Sequence, residues 1–343
     1  MKKIIILFSI LQFCFLNPAI IKSQQPNKTK NSKCLCCQSK VRFDDSSLEK
    51  IILNPEDVIA HPDEFWASDP AYKLVKLWHK KISFPVPIQK WVELIEPFKN
   101  YTHKKRQTNP QLVAARTMIK YEKEFNENAI PFICSFLPKN CPDISTTIYF
   151  TTAIIYSSFQ IGNNIVIYGP LADKDNLLIH ELFHQGFEKC KPTRHENGIK
   201  DSTLNQIYND LQNEGMATFA GYKGLKQFPN IDPDPLKDDY RFLKDNEKFS
   251  QLLNELNDLL KNFPSLIEKE VGKRILKYNI LKVGTTDRAY DVIGCFMAMK
   301  IDEKLGRDAL VATISKGPDS FVKTYNSIVE EKLKVTDLFD KKR

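Results

Sequence analysis

The sequence predicts a predominantly helical α+β fold, with a small antiparallel sheet packed beside a pair of helices. Residues 144–168 are rich in β-branched and aromatic residues, which favour strands. The regions before and after this stretch repeat apolar residues at helical spacing. Two helical segments that follow the strands, 176–187 and 202–223, carry histidine or glutamate on largely apolar faces, where such side chains need partners.

The first 23 residues predict a secretory signal peptide. Lys2 and Lys3 precede an apolar run of about a dozen residues, which is too short and wrongly flanked for a transmembrane helix. A polar stretch follows from Lys22. We therefore expect a secreted or periplasmic protein that begins near residue 24 and has no integral membrane segment in its mature chain.

The charge distribution of the chain argues against a nucleic-acid partner. Its formal net charge is +8, which falls to about +5 when Lys2, Lys3 and Lys22 leave with the signal peptide. The basic residues are scattered, and no run combines basic with aromatic side chains, as nucleic-acid-binding segments do.

Composition divides the rest of the chain into four regions. Residues 24–44 are rich in cysteine and lysine and predict a flexible tail. Residues 45–143 and 225–343 predict helical regions. Residues 144–224 contain the strands, a turn at 162–164 and the helix pair, and form the predicted core. The predicted strands are 146–152, 153–156 and 164–168.

Cysteines in an exported protein predict disulfide bonds. Cys134 and Cys141 are separated by a short, proline-containing stretch and predict a local pair. An odd number of cysteines remains after the leader, so one thiol is unpaired or joined to another chain. These cysteines are Cys34, Cys36, Cys37, Cys134, Cys141, Cys190 and Cys295.

The first helix of the pair carries His180, Glu181 and His184 in the pattern His-Glu-x-x-His. Since four residues span slightly more than one helical turn, both histidines project from the same face. Two imidazoles at this spacing can bind one Zn²⁺, and Glu181 is placed to take a proton from metal-bound water. A metal would also offset the cost of burying these groups in an apolar helix.

A zinc site on this helix requires a third protein ligand from another element. Glu214 falls on the inward face of the predicted helix 202–223, where an unpaired carboxylate would be costly. Gly215 and other small residues let this helix approach its neighbour closely. His195, in the polar loop between the two helices, is an alternative ligand. Asp210, one turn before Glu214, is a candidate to orient a histidine.

The His-Glu-x-x-His segment and the Asn-Glu-Gly-x-Ala segment 213–217 resemble the gluzincin metallopeptidases, in which a second helix supplies glutamate as the third zinc ligand. The resemblance covers residues 145–330 and looks greatest to uncharacterised secreted bacterial zinc-dependent peptidases of that clan. It implies Zn²⁺ as cofactor and a peptide or protein as substrate. It also implies that Tyr290, at the start of a helix that runs back toward the metal, hydrogen-bonds the oxyanion. The strand 164–168 either pairs with extended substrate, as an edge strand does in gluzincins, or is an ordinary core hairpin strand.

The resulting hypothesis is an exported zinc-dependent peptidase that hydrolyses peptide bonds through a metal-activated water, with Glu181 as general base. The alternative is a catalytically inactive, peptidase-like binding or interaction protein of the cell envelope. A metal-free interaction protein and a non-peptide hydrolase also remain open, because a zinc site and a base do not by themselves select a substrate.

Overall fold

A computed structural model of the protein describes seven stretches of the chain. They are residues 39–81, 87–152, 158–171, 175–192, 202–227, 237–268 and 270–339, without the side chains of 175, 226, 227, 237 and 285. The predicted signal peptide, most of the predicted tail, the strand-like run 153–156 and His195 lie outside these residues.

The sheet of the described chain has four strands in the order β1-β2-β4-β3. Their bounds are β1 (Lys40–Asp44), β2 (Ser145–Thr151), β3 (Ser158–Ile161) and β4 (Asn164–Tyr168). β1 pairs with β2 and β2 with β4 in parallel, whereas β3 pairs with β4 in antiparallel fashion. The predicted antiparallel sheet is therefore a mixed sheet. Its antiparallel part is the hairpin at the predicted turn, where Gly162 has a φ of 57°, which a non-glycine residue adopts at a cost.

Strand β1 corrects the predicted extent of the tail, because residues 40–44 belong to the sheet. Its Val41 and Phe43 are buried. On its outer edge, the N–H of Val41 donates to Asn126 at 2.7 Å, and the N–H of Phe43 donates to Glu122 at 2.8 Å. These side chains satisfy backbone groups that an edge strand would otherwise expose. The β1 edge of the sheet is therefore closed by the protein itself.

Seven helices precede β2 in the described chain, in agreement with the helical region predicted for 45–143. Several begin with proline, whose fixed φ suits the first helical turn and whose missing N–H costs nothing there. The helices are α1 (Ser46–Leu53), α2 (Pro55–Ala60), α3 (Pro62–Ser68), α4 (Pro70–Lys81), α5 (Ile88–Lys99), α6 (His103–Gln107) and α7 (Pro110–Cys134).

The predicted helix pair follows the sheet as α8 (Asp175–Cys190) and α9 (Ser202–Gln227). α8 is anchored to the sheet by a buried hydrogen bond of 3.0 Å from the Gln185 side chain to Thr146 of β2. The remaining helices are α10 (Lys237–Phe242), α11 (Asn246–Leu266), α12 (Glu270–Ile280), α13 (Ala289–Leu305), α14 (Arg307–Lys316) and α15 (Pro318–Asn326). The predominantly helical α+β class is thus confirmed, and the described residues belong to one compact unit, Cys34–Arg343. No described helix combines the length and apolarity that crossing a bilayer requires.

The disulfide bonds differ from the local pair that the sequence predicts. Cys141 bonds to Cys190, with a Cα–Cα distance of 5.1 Å and a sequence separation of 49 residues. The predicted Cys134–Cys141 pair is wrong, although Cys134 is itself disulfide-bonded. The bond ties the last residue of α8 to the segment before β2. Among the described cysteines, Cys295 is free and buried, as the odd cysteine count requires of one thiol.

Helices α9 and α13 are in backbone contact where two glycines meet. A Cβ atom on Gly215 would overlap the backbone of Gly294, and one on Gly294 would overlap the carbonyl oxygen of Leu211. Backbone atoms cannot move aside as a side-chain end can. The predicted close approach at Gly215 is therefore confirmed, and it fixes the helix turn that carries Glu214.

We expect Gly215→Ala to lower the free energy of unfolding by about 1–3 kcal/mol, because the added methyl group must push α9 and α13 apart. Chemical denaturation monitored by circular dichroism measures this loss. Gly224→Ala on the same helix is the matched control, since its Cβ would meet the movable terminal methyl of Ile179. Equal stability of both variants would contradict the close helix contact.

Candidate metal centre

His180 and His184 point to one place from a single face of α8. Both rings are largely buried, with side-chain exposures of 7% and 12%. Their Nε2 atoms lie 2.9 Å apart, and their ring planes are nearly perpendicular. This convergence follows from the i, i+4 spacing, which places the two side chains one turn apart on the helix.

Glu214 enters the same place from α9. Its Oε2 atom lies 3.5 Å from His180 Nε2 and 3.3 Å from His184 Nε2. In a tetrahedral zinc site with bonds of about 2.0–2.1 Å, neighbouring ligand atoms lie about 3.3 Å apart. The three separations, 2.9, 3.3 and 3.5 Å, are near this value, so the three donor atoms could hold one Zn²⁺ ion. In the described part of the chain this is the one group of three or more His, Cys, Asp or Glu residues with such convergence.

The other nitrogen of each histidine faces a polar side chain of α9. His184 Nδ1 lies 2.9 Å from Asn213 Oδ1, and His180 Nδ1 lies 3.5 Å from Thr218 Oγ1. An amide oxygen only accepts, so the Asn213 contact places the proton of neutral His184 on Nδ1. Its Nε2 lone pair is then directed toward Glu214 and His180, as metal ligation requires.

The charges of this cluster favour a cation. Burial opposes a charged His184, but the Glu214 carboxylate and its hydrogen bond raise the pKa of His184 to about 10. Burial likewise opposes ionised Glu214, but His184 and His180 hold the pKa of Glu214 well below its usual range. Without a metal, the cluster retains a proton. A metal ion must displace that proton, so its affinity falls as the pH decreases.

Glu181 lies beside the cluster and faces the sheet. Its residue exposure is 8%, and its Oε1 atom accepts a hydrogen bond of 2.5 Å from the Ser158 hydroxyl of β3. The Glu181 carboxylate also contributes to the raised pKa of His184. The predicted general base is thus next to the predicted ligands, on a carboxylate that one neighbouring hydroxyl holds in place.

Tyr290 lies in the first turn of α13 and is buried. Its ring packs against Gly284, and its hydroxyl has no hydrogen-bond partner within the described stretches. Burial first, and then the nearby Asp210 carboxylate, raise its pKa, so the hydroxyl keeps its proton. A buried tyrosine hydroxyl normally donates to a partner. Because no described group accepts its hydrogen bond, the Tyr290 hydroxyl remains available as a donor.

Asp210 does not make the predicted bond to a histidine in the described structure. Its Oδ1 atom accepts a hydrogen bond of 2.5 Å from Gln206. Burial and the Glu214 charge raise its pKa to about 7. Asn213 and Thr218 lie beside the histidine Nδ1 atoms instead. Asn213 directly precedes Glu214 in the sequence, a signal that could have identified it.

A second group missed by the sequence analysis connects α9 to α13. Thr218 Oγ1 lies 3.4 Å from Asp291 Oδ1, and Arg288 bridges Asp291 at 2.9 Å and Asp239 at 2.7 Å. Arg288 has a φ of 62°, a conformation that is unfavourable for a side-chain-bearing residue. The two ion pairs hold it there, and through Thr218 they support the position of His180.

The comparison with known protein families identifies the chain's relatives. The model of a family described as "Putative zinc dependent peptidase (DUF5700)" matches residues 42–334. The chain belongs to this family. The matched range includes both histidines and Glu214. It also includes the whole sheet apart from Lys40 and Val41. The family is described as zinc dependent, and the His-His-Glu cluster of this member could hold a metal ion. No curated protein and no solved structure matches the chain.

Proposed function

We propose that the protein is an exported zinc-dependent peptidase. The observation that carries this proposal is the convergence of His180, His184 and Glu214 at zinc-ligand separations, beside the buried carboxylate of Glu181. Membership of a family described as zinc-dependent peptidases supports it. Export follows from the predicted signal peptide at residues 1–23.

The three converging residues would hold Zn²⁺ through two imidazole nitrogens and one carboxylate oxygen, a donor set that suits this ion. A bound zinc ion lowers the pKa of water and polarises a carbonyl group. Asn213 keeps the His184 ring in the required tautomer, and the Asp291–Thr218 contact supports His180. These outer partners restrict the two rings before any ion binds.

Glu181 acts as the general base. Its carboxylate accepts the proton of the attacking water and passes it to the leaving amine, which must be protonated as the amide bond breaks. The hydrogen bond from Ser158 fixes one carboxylate oxygen and leaves the other free for this transfer. Burial excludes competing water from the transfer path.

Tyr290 is the candidate donor to the oxyanion that develops during amide hydrolysis. Its protonated hydroxyl, which has no hydrogen-bond partner among the described residues, supports this role, since the hydrogen is not already donated elsewhere. His195, the second candidate for a role at the metal, lies outside the described residues.

The substrate strand is assigned to β3. The sequence left open whether residues 164–168 pair with substrate or form a core hairpin strand. Because β4 is paired on both sides, by β2 and β3, it is a core strand and cannot accept another. β1 is closed by Asn126 and Glu122. β3 pairs on one side alone within the described sheet, and its Ser158 contacts the proposed general base. An extended peptide on this edge would pass Glu181.

The proposal is tested on the protein from residue 24 onward, which includes the whole compact unit. We expect about one zinc equivalent per chain by elemental analysis, because three protein ligands support one ion. We also expect hydrolysis of quenched fluorescent peptides that stops with a chelator and returns with zinc. Bound zinc without hydrolysis of any peptide would favour the inactive binding protein. Absence of zinc after reconstitution would favour the metal-free interaction protein.

A further inference from the structure

Helix α12 exposes an unusual concentration of apolar surface. Eight large hydrophobic side chains are exposed in the described part of the protein, and four of them lie within eleven consecutive residues. Single exposed hydrophobic residues are common, but clusters of them indicate an interaction surface. The four are Val271 (69% exposed), Ile275 (46%), Tyr278 (65%) and Leu281 (58%).

Three of these residues form a continuous strip. Val271, Ile275 and Tyr278 follow the i, i+4, i+7 spacing that places side chains on one helix face. The side of α12 about 100° from this strip is packed against the protein, where Gly272 and Leu276 are buried. Leu281 continues the strip into the π-helical turn Leu281–Thr286. We call Val271, Ile275, Tyr278 and Leu281 the α12 ridge.

Basic residues lie beside the α12 ridge on the exposed side of the helix. Lys273, Arg274, Lys277 and Lys282 are exposed, whereas Glu270 is the one acidic residue of the segment 270–282. Lys273 pairs with Glu270 at 3.4 Å, and Lys282 pairs with Asp287 at 3.5 Å. Neither of the other two basic side chains has an ion-pair partner within the ranges that the structure describes. The surface therefore combines apolar side chains with positive charge.

We propose that the α12 ridge docks the protein on a membrane surface that contains anionic lipids. A helix with an apolar face bordered by Lys and Arg binds in the plane of the membrane interface, with its apolar side chains among the acyl chains. Tyrosine favours the headgroup level, where its ring is buried and its hydroxyl is hydrated. Each basic residue near an anionic surface strengthens binding about fivefold.

Charge complementarity favours an anionic membrane over a second copy of this chain. A two-fold dimer through the α12 ridge would place the same patch on both subunits. Arg274 and Lys277 of one subunit would then face the equivalent cations of the other, which is unfavourable. Lipid phosphates supply the opposite charge. The ridge is separate from the metal-ligand cluster, so the proposal does not depend on zinc or on peptidase activity.

The test measures sedimentation of the protein from residue 24 onward with phosphatidylcholine vesicles, with and without phosphatidylglycerol. We expect binding to the anionic vesicles and a loss of about tenfold or more in Ile275→Ser/Tyr278→Ser, which removes apolar contact. Arg274→Gln/Lys277→Gln should weaken binding about 25-fold at low salt, because both charges are lost. Leu94→Ser/Val113→Ser, on α5 and α7, is the matched control with similar exposure, 45% and 48%.

Circular dichroism and thermal melting establish that the variants remain folded. Three outcomes would overturn the proposal. They are a wild type that stays in solution with anionic vesicles, equal binding of the wild type to neutral vesicles, and a control variant that loses as much binding as the ridge variant. If the protein does not bind vesicles but forms a dimer, and the ridge substitutions dissociate that dimer, the α12 ridge binds a second copy of the chain instead.

Discussion

Glu181→Gln is expected to lower kcat/KM for peptide hydrolysis by about 10²–10⁴-fold while the protein still binds zinc. The amide cannot accept the proton of the attacking water, so the chemical step loses its base. Its carbonyl oxygen can still accept the hydrogen bond that Ser158 donates to Glu181. The side chain should therefore keep its position, and the loss should appear in kcat rather than in folding or metal content.

The matched control is Glu188→Gln on the same helix. Glu188 lies one turn beyond His184, where it is exposed and pairs with Lys191 at 2.7 Å. This variant should keep wild-type activity, because an exposed ion pair contributes little to stability. Steady-state kinetics with a fluorescent peptide, together with zinc analysis of both variants, makes the comparison. Wild-type turnover in Glu181→Gln would remove Glu181 from the mechanism.

Glu214→Ala is expected to weaken zinc binding strongly. Loss of a residue that only orients a ligand typically costs about 10–100-fold in metal affinity, and loss of a ligand itself should cost more. The substitution removes one of three donor atoms and also the charge that supports a cation at the two histidines. Competition with a chromophoric chelator measures the affinity. Hydrolysis should be lost in parallel, because the metal no longer occupies the site.

Glu303→Ala serves as the control for this second experiment. Glu303 is a half-exposed residue of α13 that pairs with Lys300, so its removal should leave zinc affinity unchanged. Unaltered affinity in Glu214→Ala would assign the third ligand elsewhere, with His195 as the next residue to replace. The two results together separate the metal ligand from the base, since one variant loses the ion and the other keeps it.

The candidate metal centre was predictable because its main signals are local. The spacing of His180 and His184 fixes their common face as soon as the segment is helical. Glu214 was found through its place on the inward face of a second helix, although its neighbour Asn213 is 29 positions after His184 in the sequence. The structure brings these three side chains together as expected. Asn213 and Ser158 were missed because their roles depend on which side chains lie opposite them in the folded chain.

The sheet was less predictable, because strand direction depends on partners far apart in sequence. β1 pairs with β2 across about one hundred residues, in register from Lys40 with Ser145. No local pattern indicates such a partner, and the strand-like composition of 144–168 suggested neighbouring antiparallel strands. The turn at 162–164 and strand β4 were predictable from local composition, whereas β3 (Ser158–Ile161) begins after the predicted run 153–156. The preference for short loops also produced the wrong disulfide pair.

The Cys141–Cys190 bond has a consequence for the order in which the site is assembled. Residues 141–190 precede α9 in the chain, so in an oxidising environment the bond can form before the segment that carries Glu214 has folded. The closed loop contains β2, β3, β4 and both histidines. In the chain-entropy description, closing a loop of this size lowers the conformational entropy of the unfolded chain and so raises its free energy by about 4 kcal/mol. Helix α8, which carries His180 and His184, can then be linked to the segment before β2 before Glu214 on α9 completes the ligand cluster.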